Sequence, residues 1–74
     1  MIYDKIVAII AEHIDADPQT ITKESTFPEL GMDSLDAVEL VMKMEEELGV
    51  TMELDRPVNN VGELVAFVEE KVNQ

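Results

Sequence analysis

Apolar side chains recur at helical spacing in three separate segments of this chain, and that pattern leaves few folds open. Ile2, Ile6, Ile9, Ile10 and Ile14, with Val7 beside them, predict a helix over 2–14. Asp4, Lys5, Glu12 and His13 fall on its other faces. Ala37, Leu40, Val41, Met44 and Leu48 gather on one stripe of a second helix over 34–48. Val61, Leu64, Val65, Val68 and Val72 form the stripe of a third over 61–72, with Phe67 flanking it. One stretch alternates instead: Val50, Met52 and Leu54 are separated by Thr51 and Glu53. A strand there would have nothing to pair with, so the stretch reads as an extended link whose apolar residues dip into the core. The expected class is all-α.

Local signals mark the helix ends. Asp15-Ala16-Asp17-Pro18 closes the first helix, because proline restricts the residue before it. The long connection over 15–33 has Ile21, Phe27 and Leu30 as spaced apolar anchors. Asp33 is a good N-cap, and Asp36 three residues later completes a capping box with Asp in place of Glu. Gly49 ends the second helix. Asp55-Arg56-Pro57-Val58 reads as one short helical turn near 55–59, with Asp55 as its cap. Asn60 with Glu63 is a capping pair for the last helix.

At 74 residues without cysteine, the chain reads as one domain over 1–74 with neither disulfide nor thiolate–metal support. Aromatic residues are few, so the core must be aliphatic. Seventeen acidic against five basic residues give a formal net charge of −12. That argues against nucleic acid and favours basic protein partners met by steered encounter. Charge and size predict a monomer. No apolar run approaches a membrane span, and the N-terminus lacks a signal-peptide layout, so a cytoplasmic protein without membrane insertion is expected.

Catalysis finds little to work with. His13 is the only histidine and reads as a solvated residue near a helix C-terminus. Ser34 has no nucleophile-elbow pattern around it. The Asp15–Asp17 start of a calcium loop fails, since Thr20 and Thr26 stand where Gly and Glu are required. No metal site is expected from one His and no Cys. The second helix carries a feature of another kind. Leu35, Val38 and Met42 form a second apolar stripe, roughly opposite Met44 and interleaved with Glu39, Glu45 and Glu46. Either the 15–33 connection covers it, or it is a docking face with apolar knobs and steering carboxylates.

The run Leu30-Gly31-Met32-Asp33-Ser34-Leu35-Asp36, followed by Val38-Glu39-Leu40, puts a serine hydroxyl at the start of a helix. Free backbone N–H groups and the positive end of the helix dipole tolerate a phosphate there. This run resembles the phosphopantetheine attachment site of acyl carrier proteins, LG-x-DSLD followed by VEL. The resemblance covers nearly the whole chain and implies a small four-helix bundle. The family's third helix is acidic and about two turns long, but this chain departs from that pattern with Pro57 and Asn59-Asn60, so a short or degenerate third helix is expected near 55–59. It implies that a phosphopantetheinyl transferase moves the 4′-phosphopantetheine arm of coenzyme A onto Ser34, with Asp33 helping to place magnesium. The arm then carries acyl chains as thioesters. Leu35, Asp36, Val38, Glu39, Met42, Glu45 and Glu46 match the recognition helix of that family. Acyltransferases, ketosynthases, reductases and dehydratases of fatty acid synthesis are the implied partners. Ile6, Phe27, Val41, Met44 and Val65 are candidate walls of an acyl pocket, and serve equally well as plain core. Length and helix pattern match a discrete carrier of the type II fatty acid kind. Two alternatives stay open: a carrier for polyketide, peptide or other specialised assembly, and an unmodified acidic adaptor that docks a basic partner.

Overall fold

The computed structural model describes residues 2–53 and 56–73, and of Ser34 the backbone only. It holds three α-helices: α1 (Ile2–Ile14), α2 (Ser34–Leu48) and α3 (Val61–Val72). Their bounds coincide with those predicted from periodicity and capping. A 3-10 turn over Pro18–Thr20 interrupts the long connection. Its start is a local signal that reading Pro18 only as a helix stop overlooks: the Asp17 carboxylate accepts from the Gln19 N–H, and proline takes the first position. The turn expected near 55–59 is not helical over 56–59. Its proposed cap, Asp55, lies outside the described residues, as does Leu54. The bundle is therefore three helices and a 3-10 turn among the described residues. No helix among them is long and apolar enough to cross a membrane.

α1 is the centre of the packing. It lies against both α2 and α3, whose Cα traces stay more than 8 Å from one another. Ile6, Ile10, Leu40, Met44, Val61, Leu64 and Val68 are fully buried between the helices. Met52 is buried as well, so the 50–53 link does dip into the core. Phe67, expected to flank the α3 stripe, is 1% exposed and belongs to the core. Its ring is covered from outside by two cations, with Arg56 at 5.4 Å and Lys71 at 5.5 Å from its centroid. Arg56 also grips Glu70 through both guanidinium nitrogens, at 2.6 and 3.2 Å. That bidentate pair ties the second link onto α3.

The first connection is pinned in a different way. Ile21, Phe27 and Met32 are buried and Leu30 half-buried. The carbonyls of Lys23 and Ser25 accept the N–H groups of Gly62 and Val61, and Thr26 bridges Asn60. Asn60 accepts from the Glu63 N–H at 2.8 Å, as expected of the cap. The Glu63 carboxylate, however, reaches back to the Asn59 N–H rather than to Asn60.

His13 is not the solvated residue the sequence suggests. Its side chain is 16% exposed, and Nε2 donates to Asp36 Oδ1 at 3.0 Å. Ile9 and Glu12 share a surface with Lys43, Glu46 and Glu47, so α1 and α2 run antiparallel and the end of one meets the start of the other. The His13 hydrogen bond first, and the Asp33 N–H second, hold the Asp36 carboxyl below its ordinary value. A carboxyl depressed in the folded state stabilises the fold above its unfolded pKa and ceases to do so as pH falls through the folded value. Two outcomes follow. In urea titrations the stability gap between the parent and Asp36→Asn narrows as pH drops from about neutral to about 3, self-repulsion changing almost equally in both proteins. Asp33→Ala lowers stability by about 1 kcal/mol, and Asp33→Asn restores most of it.

Candidate functional site

The start of α2 is fixed before the helix begins. Thr26 and Glu29 exchange hydrogen bonds, with the Thr26 hydroxyl 2.8 Å from Glu29 Oε1 and the Glu29 N–H returning to Thr26 Oγ1. The chain then turns over 27–31, closes with Met32 N–H on Phe27 O at 2.8 Å, and reaches Gly31 with φ +77°. That left-handed conformation suits a residue without Cβ. Met32 plugs into the core directly afterwards. Asp33 is extended, and its Oδ1 accepts the N–H groups of Leu35 at 3.0 Å and Asp36 at 3.1 Å. Asp36 Oδ2 returns to the Asp33 N–H at 3.0 Å. This reciprocal cap makes Ser34 the first residue of the helix, at the end where the macrodipole favours an anion.

A groove of about 370 Å³ opens beside this helix start. Phe27, Pro28 and Met32 come from the first connection, Asp33, Ala37 and Val38 from the start of α2, and Pro57, Val58 and Asn59 from the second link. Of the five residues considered as pocket walls, only Phe27 lines it. Ile6, Val41, Met44 and Val65 are buried in the core. The groove escapes a reading by periodicity because three segments distant in sequence build it. Its lining is mostly apolar, and it adjoins the first turn of α2 through Asp33, Ala37 and Val38.

The second apolar stripe of α2 is open. Leu35 is 65%, Val38 49% and Met42 56% exposed, so the first connection does not cover it. Glu39 and Glu46 are exposed around it. Asp36 and Glu45 are half-buried and already engaged: Asp36 in the cap and with His13, Glu45 with the Met52 N–H at 3.0 Å. Glu39 Oε2 lies 3.7 Å from His13 Nε2. The sequence gives no sign of this His13–Asp36–Glu39 cluster, because it depends on the register in which α1 meets α2.

Comparison with known proteins supplies the remaining observation. The family model described as phosphopantetheine attachment site matches residues 4–68. The acyl carrier protein of Caulobacter vibrioides (strain NA1000 / CB15N) is 42% identical over 73 residues, covering 95% of this chain and 94% of that protein. The acyl carrier protein of Streptococcus thermophilus (strain CNRZ 1066) is 39% identical over 70 residues, with 95% of each covered. That of Phenylobacterium zucineum (strain HLK1) is 39% identical over 74 residues, covering 96% of this chain and 94% of its own. The family model runs from α1 through the capped serine into α3, each relative is matched over at least 95% of this chain, and this chain belongs to the acyl carrier protein family, whose cofactor is 4′-phosphopantetheine.

Proposed function

We propose that this chain carries acyl groups for fatty acid synthesis on a 4′-phosphopantetheine arm attached at Ser34. The observation that carries the reading is the coincidence of three features at one place: a reciprocally capped helix start, an apolar groove beside it, and an uncovered apolar stripe ringed by carboxylates leading away from it. When bound, the arm supplies a terminal thiol that holds acyl groups as thioesters. The protein's own residues do the remaining work. Asp33 and Asp36 hold the backbone of Ser34 at the helix start for a phosphopantetheinyl transferase, which brings its own base and metal. Phe27, Met32, Ala37, Val38 and Val58 shelter what lies in the groove. The lack of close backbone contact between α2 and α3 supports a core that opens between them for a longer chain, with Met44 as an adaptable filler.

Leu35, Val38 and Met42 supply the contact area for partners, while Glu39 and Glu46 steer basic surfaces toward it. This division of labour suits successive, short-lived encounters with several enzymes. One specific observation favours a second reading: residues 56–59 lack a helical turn on the rim of the groove. A different wall there suits a carrier dedicated to specialised assembly.

Intact mass after incubation with coenzyme A, magnesium and a broad-specificity phosphopantetheinyl transferase tests the attachment. The parent gains one phosphopantetheine and Ser34→Ala gains none. A folded parent that gains nothing returns the chain to the unmodified acidic adaptor. Fatty acid elongation enzymes that reject the modified protein shift the reading to the specialised carrier. For the docking face, Leu35→Ala lowers kcat/KM of transfer by about tenfold, the scale of losing one buried aliphatic contact, with the helix content unchanged by circular dichroism.

A further inference from the structure

Asp36 shares the first turn of α2 with Ser34, where an incoming basic surface meets the docking face, yet both of its oxygens are turned to donors of its own chain. Oδ1 accepts from His13 Nε2 at 3.0 Å, and Oδ2 accepts the Asp33 N–H at 3.0 Å. The cap does not need the imidazole, because the exchange between Asp33 and Asp36 is complete without it. His13 reaches this carboxylate from the far end of another helix, and the two side chains are 16% and 31% exposed. A charge-assisted bond that is mostly shielded from water is not displaced freely.

Arginine grips a carboxylate best fork on fork, with both oxygens facing the guanidinium plane. Asp36 cannot offer that face while His13 holds Oδ1. Glu39 is placed differently. It is exposed, it follows Val38 of the open stripe, and its Oε2 lies 3.7 Å from His13 Nε2, beyond hydrogen-bond length. We propose that His13 is a specificity-determining residue of the docking face: by holding Asp36 it closes that carboxylate to a partner's arginine and passes the contact to Glu39. The proposal rests on the carrier reading and names the partner geometry that the face admits. A guanidinium aimed at Asp36 must first displace the imidazole, and one aimed at Glu39 meets an exposed carboxylate instead. Asp36 keeps its charge while its contact is blocked, so it still draws basic surfaces in from a distance.

The test measures KM and kcat for transfer of phosphopantetheine onto full-chain variants by the broad-specificity transferase, with folding checked by circular dichroism. His13→Leu removes the donor and releases Oδ1. It lowers KM by about threefold, the scale of one gained surface ion pair, with kcat within about twofold of the parent. Adding Asp36→Asn cancels the gain, since Asn keeps an oxygen for the Asp33 N–H but not the charge. His13→Gln, which keeps an N–H donor, restores the parent KM. A purely structural tie would act the other way, its loss raising KM or lowering kcat. In the parent background Glu39→Gln raises KM more than Asp36→Asn does, and this comparison decides the matter where His13→Leu does not fold. A KM that His13→Leu raises or leaves in place, or an Asp36→Asn penalty at least as large as that of Glu39→Gln, overturns the assignment. A parent that gains no phosphopantetheine overturns the carrier reading with it, and intact mass tells the two failures apart.

Discussion

The Asp36 carboxylate divides its two oxygens between two neighbours, and the geometry of the helix start rests on that division. Oδ2 closes the cap by accepting the Asp33 N–H, and Oδ1 takes the proton of His13 from the end of α1. One bond sets where α2 begins, and the other sets how α2 sits on the rest of the bundle. Ser34 lies between Asp33 and Asp36, so the reciprocal cap fixes the backbone on either side of it.

The packing around this point is uneven in a useful way. α1 contacts both other helices, while α2 and α3 stand apart and meet through side chains and links. An aliphatic core with Met32, Met44 and Met52 among its buried members adapts its shape at little cost. The groove beside the start of α2 is walled by the two connecting segments rather than by a second helix. Rigidity at the helix start and tolerance in the adjoining wall are thus properties of neighbouring parts of one small chain.

Signals local in sequence could be read, and relations between distant segments could not. Asp33, Gly49 and Asn60 announce helix ends through the chemistry of one or two residues, and all three end helices where expected. The open stripe of Leu35, Val38 and Met42 follows from the helical period. The burial of Phe67 could not be read, because Arg56 and Lys71 cover an edge of α3 that the period alone leaves outside. The contact of His13 with Asp36 spans 23 positions and depends on the antiparallel register of two helices. The groove needs three segments to meet, and no residue in it is unusual by itself.

The treatment of α3 has a bearing on where an anion can settle. The N–H groups of Val61, Gly62 and Glu63 are taken up by Ser25 O, Lys23 O and Asn60 Oδ1. A second helix start, with the same partial positive charge as that of α2, is in this way plugged by the protein's own carbonyls. By closing the start of α3 with its own backbone, the first connection leaves no N–H of Val61, Gly62 or Glu63 to hold an anion.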